Sequence, residues 1–146
     1  MSVTDRSACP INLAVELLGD RWTLLVLRDI ALGGRRHFRE LQRESQEGIT
    51  SSVLADRLRR LLEAGVLVRG EDPGHRQRAS YHLTEAGVQL VPVLAAIGAW
   101  GGDWLPADPE LVAAGRDLRP VASRACDALM QDLREQHGAT DPLRGR

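Results

Sequence analysis

A chain of 146 residues with 43% apolar composition has material for one compact core with a helical segment appended, and a formal net charge of -1 does not advertise phosphate binding. No run approaches the roughly 18 consecutive apolar residues of a membrane span, and the first ten residues hold no apolar stretch, so a cytoplasmic protein with no membrane partner is expected. The two cysteines, Cys9 and Cys126, lie far apart without a second thiol or histidine at ligand spacing, so neither a metal site nor a disulfide framework nor a cofactor is expected.

The charge is unevenly placed. All 19 basic residues are Arg, and residues 35–60 carry seven of them against Glu40, Glu44, Glu47 and Asp56, a local net of +3. Arginine's rigid fork suits phosphate and guanine edges, although a GC-rich coding bias produces the same absence of Lys.

Residues 11–19, INLAVELLG, put Ile11, Leu13, Ala14, Leu17 and Leu18 on one helical stripe that Gly19 stops. WTLLVLRDIALGG follows, apolar nearly all round through Trp22, Leu24, Leu25, Leu27, Ile30 and Leu32, as a central buried helix is. HFRELQRE predicts a short third helix from near His37 with Phe38 and Leu41 inward. After the turn QEGIT, Thr50 can cap SSVLADRLRRLLEAG, whose stripe is Leu54, Leu58, Leu61 and Leu62 and whose Gly65 supplies a left-handed stop. VLVRGED, PGHRQ and RASYHLT predict strand, turn and strand, with Ala79, Tyr81 and Leu83 alternating against polar neighbours. Thr84 and Glu85 then open one long helix to Leu105, with Pro92 as a point of kinking. Beyond Pro106 a helix is expected from about Val121 to Gln136, then a loose tail.

Helix, short turn, helix and a two-stranded ribbon is an order that can lay one helix in a major groove while the ribbon reaches a minor groove. The expected fold is mainly α with a small β-hairpin, a dimeric winged helix-turn-helix with an extra C-terminal helical segment. Its division is 9–105 for DNA binding and dimerisation and 106–146 for the extension. With Leu54, Leu58 and Leu61 inward, Ser52, Asp56, Arg59, Arg60 and Glu63 face outward on the fourth helix. Ser51 and Ser52, at the end that enters a groove, are the leading candidates for base or phosphate contact. Arg35, Arg36 and Arg39 surround the start of the third helix, where side chains straddle phosphates. His75, Arg76 and Arg78 mark the hairpin tip, and a narrow minor groove attracts Arg. The competing reading is a solvated face in which Glu40, Glu44 and Asp56 pair with these arginines.

CPINLAVELLGDRWTLLVLRDI, HFRELQRE, GITSSVLADRLRRLLEAGVLVR and RASYHLTEAG together resemble the HxlR family of bacterial winged helix-turn-helix regulators, over roughly residues 9–104. Cys9-Pro10 ahead of Gly19, Arg21, Trp22 and Thr23 is the distinctive part. The resemblance implies a transcriptional regulator, a repressor by preference, binding an inverted-repeat operator of double-stranded DNA as a homodimer. It implies that the helix from Thr50 to Ala64 is the recognition helix, with Ser51, Ser52, Asp56 and Arg57 at DNA-contact positions. The helical wheel instead puts Arg57 at the flank, where it can be an ion-pair partner. The resemblance further implies that the first helix and the helix after the wing pack across a twofold axis. Leu13, Leu17, Leu94, Ile97, Trp100 and Trp104 are the interface candidates, with ordinary core as the alternative for the tryptophans. Two departures stand out: members often carry a basic residue where Ser52 stands, and many end soon after the long helix.

Some members of that family sense oxidants or electrophiles through a cysteine at the position Cys9 matches. A thiol at a helix N-terminus has the chemistry for it, whereas most free cysteines are small packed hydrophobes. Cys126, among Val121, Ala122, Ala125, Leu129 and Met130, reads as packing. A thiol enzyme needs a positioned base, and His37, His75, His82 and His137 are all elsewhere, so no catalytic residue is expected. Two further readings stay open: a regulator answering a small-molecule effector, bound between the long and second helices or under the C-terminal segment, and a winged-helix interaction module that does not bind DNA.

Overall fold

The protein is seen here as a computed structural model that describes residues 7–72, 75–116 and 124–139. Helix α1, Pro10–Leu18, begins on a proline whose fixed φ suits the first turn, and the Cys9 carbonyl accepts the Leu13 N–H at 3.0 Å. Helix α2, Arg21–Ala31, is capped by the Asp20 carboxylate, which accepts the N–H groups of Trp22 and Thr23 at 2.9 and 3.0 Å. The short α3, Phe38–Arg43, leads through a turn to α4, Ser51–Glu63, capped by Thr50.

Helix α4 ends as Gly65 predicts, at φ 72°. The Gly65 N–H donates to the Leu62 carbonyl and the Val66 N–H to that of Leu61, a left-handed cap that satisfies the last turn and sends the chain back into the core. Leu27 and Ile30 of α2, Leu41 of α3, and Leu54, Leu58 and Leu61 of α4 are buried together in one core, whereas Leu32, expected on an α2 buried nearly all round, is exposed just past the end of that helix.

Strands β1, Leu67–Asp72, and β2, His75–Leu83, form an antiparallel hairpin in the register Leu67↔Leu83 and Arg69↔Tyr81. Tyr81 and Leu83 turn inward as expected. The expected turn at 73–77 is too long: after an irregularity at Glu71/Asp72 the ladder resumes with Asp72↔His75. His75, Arg76 and Gln77 show no apolar alternation in the sequence, and backbone pairing is what assigns them to the strand. The other edge of β2 is also covered, by a bridge His37↔Ser80 and by the Tyr81 N–H donating to the Arg36 carbonyl at 2.8 Å.

The single long helix expected after the wing is two helices, α5, Glu85–Val88, and α6, Val91–Trp104. Pro92 is the cause. It has no N–H to give the Val88 carbonyl and its ring crowds that turn, so the helix stops and restarts with proline in its first turn, where it is tolerated. Helix α7, Pro109–Ala114, was not foreseen; Gly102 of α6 lets it approach, since a Cβ there would lie 3.2 Å from Val112.

Helix α8 is described over Arg124–His137, and Val121 and Ala122 of the expected helix lie outside the described residues. It packs on β2, α5 and α6 and places Cys126, Met130 and Leu133 in the main core. The face it turns to the fold is thus filled by its own side chains. A different apolar surface stays uncovered in this one chain: Ile11, Leu13 and Val15 on α1, and Ile97, Trp100 and Trp104 on α6. No helix among the described residues is long and apolar enough to cross a membrane.

Candidate nucleic-acid interface

The outward face of α4 opens with Ser51 and Ser52, both exposed, beside the Thr50 cap, whose hydroxyl accepts the Val53 N–H. The next turns are charged but internally matched. Asp56 pairs with Arg57 and Arg59 at 2.7 Å each, and Arg59 reaches Glu63 at 3.0 Å. Those arginines hold the Asp56 carboxyl below its ordinary value, Arg59 more than Arg57. The middle of the helix is therefore close to neutral, and its groove-entering end is small and polar.

Arg57 and Arg60 turn aside. Arg57 Nε donates to Asp20 Oδ1 at 2.9 Å, and Arg60 donates to the Glu16 carbonyl at 3.2 Å with Asp20 at 3.7 Å. The flanking position that periodicity assigns to Arg57 is the one it occupies, and Arg60 is drawn in from the wheel's outer side to tie α4 to the end of α1. Partial burial opposes ionisation of Asp20. The hydrogen bonds from the Thr23 hydroxyl, Arg57 and the N–H groups of Thr23 and Trp22 outweigh it, and the carboxyl falls well below its usual range.

The arginines before and within α3 divide the same way. Arg35 is held by Asp29 at 3.3 Å and Glu44 at 3.0 Å, and Arg36 donates to the Gln136 side chain at 3.4 Å. Arg39 and Arg43, one turn apart on the exposed face, have no carboxylate partner among the described residues. With Gln42, Gly48 and Ile49 they line an open cavity of about 380 Å3 at the turn between α3 and α4. Arg43 was not singled out by sequence reasoning, although its four-residue spacing from Arg39 was a signal in plain view. On the wing Arg78 is exposed, while the side chains of His75 and Arg76 lie outside the described residues.

Cys9 is exposed at the N-cap position of α1. The backbone N–H groups of Asn12 and then Ile11 face its sulfur and hold the thiol below its ordinary pKa. Cys126 is the opposite case, buried, with its thiol pushed up by burial first and Asp127 second. Of the interface candidates, Leu17 and Leu94 are half-buried against the chain's own core, and Leu13, Ile97, Trp100 and Trp104 are exposed, the tryptophans by 59% and 74%.

The HxlR-like helix-turn-helix profile matches residues 17–109, from the end of α1 to the start of α7. The chain belongs to the HxlR family of helix-turn-helix transcriptional regulators. The HTH-type transcriptional regulator Rv3095 of Mycobacterium tuberculosis is 41% identical over 96 residues, a match spanning 66% of this chain and 59% of that relative, so this chain spans less than two thirds of its length. Among solved structures, PA1607 superposes with a TM-score of 0.64 at 34% identity, covering 74% of this chain and 73% of its own. The redox regulator HypR in its reduced form does so with a TM-score of 0.56 at 26% identity, covering 64% and 91%. The winged helix-turn-helix expected from the sequence is the fold found. In this HxlR-family chain α8 lies wholly beyond the matched segment, yet it is built into the same core.

Proposed function

We propose that this HxlR-family protein binds operator DNA as a homodimer and represses transcription by occupying it. In this reading α4 enters the major groove through Ser51 and Ser52, with Arg39 and Arg43 on the flanking phosphates and the β1–β2 hairpin at the neighbouring minor groove. The observation that carries it is the pairing pattern of the arginines. Arg28, Arg35, Arg57, Arg59 and Arg60 are engaged by carboxylates, whereas Arg39 and Arg43 stand exposed at the helix-turn-helix. The adjacent Glu40 and Glu44 are taken up by His37 and Arg35, so Arg39 and Arg43 have no internal ion pair among the described residues to break when they meet a phosphate. Asp56, on the same outward face, is tied to Arg57 and Arg59.

The dimer reading is supported by the apolar residues of α1 and α6 that one chain leaves uncovered, an area a soluble protein normally buries. An inverted pair of half-sites, one helical turn or a multiple of it apart, is then the operator geometry. Redox or electrophile sensing through Cys9 is favoured over a purely structural role by its exposure, its lowered thiol pKa and its place on α1, next to that apolar surface. The name of HypR points the same way.

A band-shift titration with the DNA upstream of the protein's own gene tests both parts, comparing reduced protein, quinone-treated protein and Cys9→Ser. Tight binding that treatment alters in the native protein and not in the variant supports regulator and sensor together. Binding indifferent to treatment leaves the regulator and removes the sensor. No salt-sensitive binding to any duplex removes the DNA reading in favour of an interaction module.

A further inference from the structure

The C-terminal helix lies beyond the family match and meets the wing at a group of histidines. His137, in the last turn of α8, is 7% exposed, and its Nδ1 accepts the Leu83 N–H of β2 at 3.1 Å. That bond requires Nδ1 to be unprotonated, because a nitrogen receiving an N–H has no room for a proton of its own. The His82 ring stands edge-on to it at 5.5 Å, with Nε2 2.8 Å from the Ser80 hydroxyl and Nδ1 buried without a hydrogen-bond partner among the described residues. Gly70 makes room for that ring, since a Cβ there would lie 2.7 Å from it.

The surrounding charges do not favour a cation. The segment before α3 brings Arg36, held to Gln136 of α8, and His37, itself 3.2 Å from Glu40 at the start of α3. Helix α5 brings Glu85, whose carboxylate is taken up by Arg134 at 2.8 Å, and α6 carries one charged residue, Asp103. Arg36 also gives its carbonyl to the Tyr81 N–H, so one small region joins α8, the wing and the entry to the helix-turn-helix.

We infer that α8 is an acid-sensitive latch: with His137 neutral it docks on the base of the wing and fixes the hairpin and Arg36, and protonation of His137 releases it. Burial, then Arg36 and His82, bring the His137 pKa down to about 4, whereas an undocked α8 would carry it near the ordinary 6.5. Undocked chains bind the proton first as pH falls through that interval. Between pH 7.5 and 5.5 the docking equilibrium therefore weakens about tenfold.

Hydrogen exchange on the whole protein, corrected for intrinsic rates, tests the latch at those two pH values. The Leu83 amide and the α8 amides are expected to lose about tenfold protection at the lower pH while α2 and α4 keep theirs. His137→Asn, which keeps an acceptor near the Nδ1 position but cannot titrate, is expected to abolish that loss. Unchanged protection in the native protein, or an equal loss in the variant, overturns the inference. Should the variant fail to dock α8, the NMR titration of the native His137 ring decides: a midpoint well below 6 supports the latch and one near 6.5 overturns it. Duplex affinity, which rests on the DNA reading, is measured apart. It is expected to fall with acid in the native protein more than in His137→Asn, because a released wing must be ordered again on binding. A latch that opens at constant affinity overturns its control of the wing, whereas no duplex binding at any pH overturns the DNA reading and leaves the exchange result standing.

Discussion

Asp20 and Arg57 lie 37 positions apart in the chain and 2.9 Å apart in space, so one carboxylate both caps α2 and holds the flank of α4. Asp20→Ala removes the cap and leaves Arg57 and Arg60 without their shared partner. The expected loss is about 1–2 kcal/mol in urea unfolding, most of it from the cap, since the ion pair is partly solvated. Asp20→Asn keeps an acceptor for the N–H groups and should cost less. The folded carboxyl stays ionised well below the ordinary value of 3.8, so the unfolded chain takes up the proton first as pH falls. The stability this residue contributes is complete above about pH 5 and declines below 4 in the native protein, with a flatter decline in Asp20→Asn. Equal acid slopes in the two proteins would show that the pair carries no such stability.

Arg39 and Arg43 should act on DNA affinity differently from Ser52. If the arginines meet phosphates, Arg39→Ala and Arg43→Ala each weaken binding to cognate and random duplex alike and reduce the slope of log affinity against log salt by about 0.9 per half-site, about 1.8 for a dimer that loses the contact in both protomers. Ser52→Ala should leave the salt slope alone and reduce discrimination among sequences. Arg59→Ala provides the contrast: its guanidinium is already matched by Asp56 and Glu63, so its effect on the salt slope should be small. Slopes that do not separate Arg39 from Arg59 would remove the pairing pattern as the guide to the phosphate contacts.

The fold was legible where periodicity and stop signals agree. The stripe Leu54, Leu58 and Leu61 between Thr50 and Gly65 defined α4 because burial, cap and left-handed stop all act within one segment. Pro92 was read as a kink and acts as a break, since the sequence shows the missing donor but not whether neighbouring packing can hold the axis across it. The candidate site was harder to read because charge pairing is a tertiary property. Arg57, Arg59 and Arg60 are clustered basic residues in the sequence; Asp20 at the start of α2 takes up Arg57 and Arg60, and Asp56 and Glu63 take up Arg59, which separates all three from Arg39 and Arg43. The place of α8 was not legible at all: nothing in DALMQDLREQH says that His137 will accept the Leu83 N–H.

Trp104 is 74% exposed in the single chain, so replacing it should change assembly more than folding. Trp104→Asp places a charge in the apolar surface of α6, where a dimer contact would have to desolvate it. Sedimentation at micromolar concentration should show a monomer with unchanged circular dichroism, and duplex affinity should fall because the two half-sites are no longer bound together. A Trp104→Asp protein that remains dimeric would move the interface off this end of α6.

The ion pair between Glu85 and Arg134 ties α8 to the wing's exit at 2.8 Å and should titrate in a different interval from the latch histidine. Arg134, then Gln89, brings the Glu85 pKa down to about 2. Its contribution is therefore present above the ordinary 4.5 and is lost as pH falls from there toward 2, whereas the His137 contribution is lost as pH falls from 6.5 toward 4. Being partly solvated, the pair should be worth about 1 kcal/mol or less. Glu85→Gln should thus lower α8 protection slightly and uniformly at neutral pH, leave the change between pH 7.5 and 5.5 intact, and flatten only the loss below about 4.5. Hydrogen exchange across the full range in Glu85→Gln and His137→Asn checks this. If Glu85→Gln alters the higher interval, the two contacts are coupled through α8 and titrate as one unit.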